Sequence, residues 1–215
     1  MYSKTLNITN GEYFNKHLIS KYGGQAVPFC EVMMDGEVLS DIYSEAFISL
    51  RAKALNVSEN EYRAKMYAYE ALKNNEYDSI CLWFGKDTFC QMNLLTLLTY
   101  LEQIQYHGKL KLNYIDDETF GIIEADIEVS LGKYNKIFND ILIGKSAPLD
   151  IGVLCSRAID LYFDYHSDNG ALAELVKANS NKNKTELICL LLEQSKDYGL
   201  SDLQAGRLID SVLSH

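Results

Sequence analysis

The stretch SICLWFGKDTFCQMNLL, from Ser79 to Leu95, joins two patterns that together decide the fold. Its first six residues are a continuous apolar run, typical of a strand at the centre of a parallel sheet that helices cover on both faces. Its later residues begin an apolar helical stripe that continues to Leu101. Polar and reactive groups lie between the two patterns, so the stretch predicts a βα unit and also the position of a site.

Three further strands are expected around this run. They are TLNIT (Thr5–Thr9), QAVPFCEV (Gln25–Val32) and KLKLNYI (Lys109–Ile115). Helical patterns separate the strands, and this alternation implies right-handed βαβ units and a parallel sheet. We therefore expect a small Rossmann-like α/β domain with the strand order 2-1-3-4.

The helical patterns divide the chain into two predicted domains. In the first part we expect helices at 12–22, 41–55 and 58–73, where the capping boxes Thr9/Glu12 and Ser58/Glu61 predict two of the helix starts. The composition changes after residue 121. From residue 133 onward only helical patterns remain, at 133–143, 149–165, 170–178, 185–196 and 201–213. We predict an α/β domain at 1–121 and a C-terminal helical bundle at 122–215.

Composition and charge exclude several classes of protein. The chain of 215 residues is 47% hydrophobic but has no apolar run of about 18 residues, so we expect no membrane span. The N-terminus lacks a basic segment followed by an apolar one, and a cytoplasmic location is the expectation. The net charge of −10 disfavours nucleic acid as a partner. Five scattered cysteines without a CxxC motif predict reduced thiols, and the histidines show no metal-ligand spacing.

The predicted topology places a ligand site at one edge of the sheet. In an open parallel sheet, ligands bind outside the carboxyl ends of the strands, where the strand order reverses. The loops there are 9–12 and 84–87, and each leads into a helix N-terminus, which favours an anionic group. We expect a small anionic ligand, nucleotide-like or phosphorylated. The candidate ligand-binding residues are Asn10, Gly11, Glu12, Arg51, Gly85, Lys86, Asp87 and Gln91.

Several of these residues have two interpretations. Asp87 could contact a ligand or act as a base, or it could cap the following helix. Cys90 could have a lowered pKa and act as a nucleophile, or it could be a packed thiol. Arg51 could reach the crevice and clamp an anion, or it could form a salt bridge. The acidic stretch 116–118 could hold Mg²⁺, but a solvated loop is the better interpretation. We therefore predict no metal site, and the sequence identifies no cofactor.

Four motifs resemble an uncharacterised bacterial family, domain of unknown function 1835, with its associated C-terminal helical domain. The matching segments are NITNGE (Asn7–Glu12), RAKAL (Arg51–Leu55), LWFGKDTFCQMNL (Leu82–Leu94) and GLS (Gly199–Ser201). The resemblance covers most of the chain, and the central motif is the most specific.

The chain departs from the family pattern inside this central motif. Gly85, Lys86 and Cys90 stand where the family has glutamate, histidine and aspartate. The family has no established activity, so the resemblance implies where the site lies and not which reaction occurs there. If the family uses the replaced groups for acid–base chemistry, this chain lacks them.

Three functions remain open at this stage. A small-molecule site, with or without catalysis, predicts a concave polar pocket at the strand ends. An interaction or regulatory module, with a protein partner or a second copy of the chain, predicts a filled strand edge and an exposed apolar patch on the helical domain. A transcriptional regulator is suggested by YGLSDLQAGRLIDSVL, but its acidic residues offset its single arginine.

Overall fold

The structure is a computed structural model that describes residues 4–74 and 76–214. Residues 1–3 and 215, which begin and end the two predicted domains, lie outside the described residues. Five strands form one sheet in this part of the chain: β1 (Thr5–Asn10), β2 (Ala26–Phe29), β3 (Ser79–Phe84), β4 (Lys109–Ile115) and β5 (Ile122–Glu128). Their order is β2-β1-β3-β4-β5, with the first four strands parallel and β5 antiparallel to β4.

Helices separate and follow these strands. Around the parallel strands lie α1 (Glu12–Tyr22), α2 (Glu45–Leu55), α3 (Glu59–Lys65), α4 (Tyr67–Leu72) and α5 (Thr88–Gln103). After the sheet come α6 (Tyr134–Phe138), α7 (Ser156–Tyr165), α8 (Ala171–Ala178), α9 (Lys184–Gln194) and α10 (Asp202–Leu213). A π-helical turn (Asn139–Ile143) continues α6, and a 3-10 turn (Lys196–Tyr198) precedes α10. None of these helices is long and apolar enough to cross a membrane.

The predicted α/β class and the order of the first four strands are confirmed. The sheet has a fifth strand, however, where the sequence predicted the start of the helical domain. Nearly every residue of β5 is exposed, so the strand lacks the alternation of apolar and polar residues that would reveal it. The mixed sheet therefore extends past residue 121, the predicted boundary.

Two helix starts show where capping was predicted well and where it was not. The capping box at Ser58 is confirmed, because Glu61 N–H donates to its hydroxyl and Ser58 N–H donates to the Glu61 carboxylate. The capping box at Thr9 is wrong. Thr9 is buried in β1 and its hydroxyl donates to Gly11 O at 3.1 Å. Helix α1 begins after Gly11 without a side-chain cap.

Two other predicted helices differ in length from the observed ones. The helix expected at 58–73 is interrupted at Met66, whose φ of −88° and ψ of 51° separate α3 from α4. The helix expected at 149–165 begins only at Ser156. The first difference is a break inside the predicted helix, and the second is a helix that starts later than expected.

Helix α5 lies at the centre of the hydrophobic core. Thirteen of its sixteen residues are buried, and its neighbours include β1 and β3 on one side and α6 and α7 on the other. The cluster of buried apolar residues runs without a break from Leu6 in β1 to Ile209 in α10. The sheet and the C-terminal helices thus share one core, and α5 contributes residues to it along most of its length.

Candidate functional site

The ends of β1 and β3 meet where the strand order reverses, and Asp87 lies at this point. Its Oδ1 accepts a hydrogen bond of 2.9 Å from Cys90 N–H, so Asp87 is the N-cap of α5. Asn10, the last residue of β1, donates from Nδ2 to the sulfur of Cys90 at 2.8 Å. The structure thus brings together Asn10, Asp87 and Cys90, as the sequence predicted.

Cys90 is a neutral, packed thiol. Its side chain is buried, and its Sγ lies 3.8 and 3.9 Å from the two carboxyl oxygens of Asp117. Burial and the negative charges of Asp87 and Asp117 hold the pKa of Cys90 well above its usual range. Of the two interpretations of Cys90, the structure supports the packed thiol, because these effects outweigh the helix N-terminus. Cys90 is not an activated nucleophile in this structure.

Asp117 completes the cluster, and the sequence did not single it out from its acidic neighbours. Its carboxyl group reaches back towards Asp87 and Cys90, whereas Asp116 caps its own loop by accepting from Thr119 N–H at 2.7 Å. One donor atom from each of Asp87, Cys90 and Asp117 lies within 4.8 Å of the others, a spacing that could hold a metal ion.

The pKa of Asp117 is raised well above its usual value. Residue 117 is exposed as a whole, yet its carboxyl group faces inwards over Gly85. Burial of this group, a hydrogen bond to Asp87 and the charge of Asp87 raise the pKa of Asp117 to about 8. The cluster therefore retains a proton at neutral pH.

Two glycines allow the close approach of these carboxyl groups. A Cβ atom on Gly85 would lie 2.0 Å from Asp117 Oδ2 and 2.7 Å from Asp87 Oδ2. A Cβ atom on Gly199 would lie 2.1 Å from Asp87 Oδ1. Thr88 also donates to Asp197 O at 3.3 Å. The segment before α10 therefore covers the strand ends.

Arg51 does not reach the crevice. Its side chain is fully buried and pairs with Glu31 at 3.3 Å. Its guanidinium also donates to Val32 O at 2.8 Å and to Asp35 O at 2.7 Å. The predicted anion clamp is therefore wrong and the salt-bridge alternative is correct, because Arg51 is engaged in holding the loop that follows β2.

Of two other candidate residues, Gln91 supports the strand ends from inside and Lys86 forms an ion pair with β5. Gln91 is buried. Its Nε2 donates to Gly85 O at 2.6 Å, and its Oε1 accepts from Cys155 N–H at 3.0 Å. Lys86 lies 3.4 Å from Glu124 on β5, so its charge already has a partner. Gln91 thus fixes the exit of β3 from inside, and Lys86 forms an exposed ion pair with Glu124.

Glu12 and Gly11 lie at the start of α1. Glu12 pairs with Lys65 at 2.7 Å and borders a pocket of about 390 Å³. Gly11 has a φ of 78°, and the space where a Cβ would lie is open. Gly11 therefore leaves room for a ligand, whereas Glu12 is already paired.

Four pockets on the described part of the chain differ in place from the polar pocket expected at the strand ends. These have volumes of about 330 to 730 Å³, and Gly85, Asp87 and Cys90 line none of them. The chain matches no protein-family model, no curated protein and no solved structure. Its resemblance to domain of unknown function 1835 stays a prediction.

Proposed function

We propose that the chain binds a nucleotide-like or phosphorylated small molecule at the carboxyl ends of β1 and β3. The observation that carries the proposal is the convergence of Asp87, Cys90 and Asp117 at the reversal of strand order, with donor atoms within 4.8 Å of one another. Such a concentration of polar groups and a shifted pKa is typical of functional sites in α/β proteins.

The two carboxyl groups favour the hydroxyl-bearing part of such a ligand. Asp117 holds a proton at neutral pH and offers an O–H donor beside the acceptor oxygens of Asp87. A sugar hydroxyl both donates and accepts hydrogen bonds, so it complements this pair. The same proton makes Asp117 the candidate general acid if a reaction occurs, because its pKa of about 8 lies near neutral pH.

The anionic part of the ligand has a separate place. A phosphate next to Asp87 and Asp117 would be repelled, whereas the start of α1 has no side-chain cap and has open space beside Gly11. Free N–H groups and the helix dipole attract phosphate there. A divalent cation held by the two carboxyl groups would also reduce the repulsion.

One observation favours the alternative function, an interaction or regulatory module. Asp117 and Gly199 fill the strand ends, and the four pockets described above lie elsewhere. In that case the C-terminal helices would provide the working surface and no small molecule would bind at Asp87.

Thermal unfolding of the full chain distinguishes the two functions. The probes are nucleotides and sugar phosphates, each with and without Mg²⁺ or Mn²⁺. A ligand at about 100 times its Kd adds roughly 2.7 kcal/mol to the free energy of unfolding. We expect Asp117→Asn and Asp87→Asn to lose this stabilisation, and asparagine at 87 can still cap α5.

The matched control is Glu118→Gln. Glu118 is adjacent to Asp117 but pairs with Lys196 at 2.8 Å, outside the cluster. Its variant should respond to the ligand as the wild type does. If no probe stabilises the wild type, or if both aspartate variants respond in full, the site is not where we propose, and the interaction module becomes the better hypothesis.

A further inference from the structure

A second polar cavity lies between the loop that follows β2 and the C-terminal helices. Its volume is about 570 Å³, within the usual range for small-molecule sites. Asp35 enters it from the loop, Tyr165 and His166 from the end of α7, and Arg207 and Leu208 from α10. It is separate from the strand-end cluster, because Asp87, Cys90 and Asp117 do not line it.

Asp35 has one carboxyl oxygen, at this cavity, that receives no hydrogen bond from the described residues. Its Oδ1 accepts a hydrogen bond of 3.0 Å from the Tyr165 hydroxyl. Its Oδ2 is buried and has no hydrogen-bond partner among the described residues. The nearest cationic nitrogen, Arg207 Nη1, lies 3.8 Å away, too far for a hydrogen bond. A buried carboxyl oxygen without a donor is unfavourable and marks a place where a ligand could supply one.

The Asp35 loop is rigidly held, whereas Arg207 is not. The fully buried Arg51 donates to Asp35 O at 2.7 Å, and His166 Nε2 lies 3.0 Å from Met34 O. The Asp35 side chain is only 14% exposed. Arg207, in contrast, is 49% exposed on the surface of α10 and can change rotamer without disturbing the core. The cavity thus combines a preorganised acceptor with an adjustable cation.

We propose that this cavity binds an apolar α-amino acid, with its ammonium group on Asp35 Oδ2 and its carboxylate on Arg207. An α-amino acid carries both charges on one carbon atom, which suits two side chains of opposite charge that already lie side by side. The guanidinium can grip a carboxylate with two parallel hydrogen bonds. The side chain of the ligand lies against Leu208, Val212 and Ala173.

The same residues disfavour ligands with a single charge. A simple anion would meet Asp35, and a simple amine would meet Arg207. Lys177, also at the cavity, is already paired with Glu174 at 2.9 Å and donates to Asp168 O at 2.6 Å. Asp35 and Arg207 together carry no net charge, so a zwitterion, with one charge of each sign, suits the pair better than a ligand with a single charge.

Isothermal titration of the full chain with L-leucine, L-isoleucine and L-valine tests the proposal. Isoamylamine and 4-methylpentanoate, which each lack one charged group of leucine, are the chemical controls. We expect at least one of the three amino acids to bind, and both analogues to bind at least tenfold more weakly. Asp35→Asn and Arg207→Gln should each lower the affinity at least tenfold.

Control variants separate this site from other effects. Arg157→Gln removes an arginine of α7 that is 71% exposed and does not line the cavity. This variant should bind the amino acid with the affinity of the wild type. Asp117→Asn should also bind the amino acid normally, because the cavity does not depend on the strand-end cluster. The proposal is overturned if none of the three amino acids binds, if an analogue with one charge binds equally well, or if both cavity variants retain full affinity.

Discussion

The proton on Asp117 depends on the absence of a side chain at Gly85. Without that Cβ, the Asp117 carboxyl group lies over the strand end and faces Asp87 and Cys90. Burial of the Asp117 carboxyl group, its hydrogen bond to Asp87 and the charge of Asp87 raise the pKa of Asp117, so it keeps its proton. The chemistry of the candidate site therefore follows from a backbone position as much as from the acidic residues.

This proton makes stability depend on pH in a defined direction. The pKa of Asp117 is raised from about 3.8 to about 8, so the folded chain holds a proton that the unfolded chain releases above pH 3.8. The stability that the folded chain gains by keeping this proton is fully present below pH 3.8, and it is lost as the pH rises to about 8. Because residue 117 is exposed, we expect a loss on the order of 1–2 kcal/mol.

Urea unfolding of the wild type and of Asp117→Asn between pH 4 and 9 measures this effect. Asparagine stays neutral throughout, so subtracting its free energies of unfolding removes the contributions of other groups. The wild type should lose stability relative to Asp117→Asn as the pH rises, with no further loss well above pH 8. A difference that stays constant with pH would show that Asp117 ionises normally.

The buried pair of Arg51 and Glu31 gives a second prediction for single residues. Both side chains are inaccessible to solvent, and the hydroxyl of Tyr62 also donates to Glu31. Glu31→Gln keeps the shape but leaves the Arg51 charge without its counter-ion. We expect the free energy of unfolding to fall by about 3–5 kcal/mol in urea denaturation.

An exposed pair provides the comparison. Lys111 and Asp126 lie 2.7 Å apart with side chains 43% and 70% exposed, so Asp126→Asn should change stability by less than about 1 kcal/mol. Equal losses in Glu31→Gln and Asp126→Asn would mean that the buried charge is solvated or neutralised in another way.

Among the elements of the fold, α5 connects the candidate site to the C-terminal helices. Its first turn carries Asp87 as the cap and Cys90 in the cluster, and Gly199 packs directly on that cap. Gly199 has a φ of 68°, which favours glycine, and it lacks the Cβ that would meet Asp87. The geometry of this helix start therefore requires glycine at position 199.

Gly199→Ala tests how tightly the segment before α10 packs against the N-cap of α5. Alanine would be strained at positive φ and would also bring its Cβ to 2.1 Å from Asp87 Oδ1. We expect a loss of about 2–4 kcal/mol in the free energy of unfolding by urea. Asn56→Ala is the control, because Asn56 has a similar left-handed backbone (φ 57°, ψ 46°) and already carries a Cβ, so only the strain of alanine is added there, and it should lose about 1 kcal/mol. Similar losses in both variants would mean that the segment before α10 moves away easily.

Local sequence patterns predicted those strands and caps whose residues are close together in the sequence. β3 and β4 begin and end at the predicted residues, because one is an unbroken apolar run and the other an alternating one. The cap at Asp87 was also readable, since it depends on residues only three positions apart. β5 was missed because an exposed edge strand has no apolar pattern.

The parts of the site that could not be predicted depend on contacts between distant segments. The role of Arg51 stayed open because the sequence does not show that Glu31 lies beside it in the fold. The inward direction of Asp117 depends on Gly85, and the cover over Asp87 depends on Gly199. Each of these is a tertiary contact that local propensity does not contain.

At the scale of the whole molecule, one core joins the sheet to the C-terminal helices, and both proposed sites lie where these two parts meet. The strand-end cluster combines α5 and the β4–β5 loop, with Gly199 above it. The second cavity combines the Asp35 loop with α7, α8 and α10. Any ligand at either place would therefore contact residues from both predicted domains.

The outer strand β5 forms one edge of the sheet and is rich in acidic residues. The free edge of a sheet offers unpaired N–H and C=O groups, and a flat apolar edge invites pairing with another molecule and growth into fibrils. Glu124, Asp126 and Glu128 place negative charge at alternate positions along β5. A second β5 approaching this edge would bring the same acidic residues, which disfavours edge-to-edge pairing through β5.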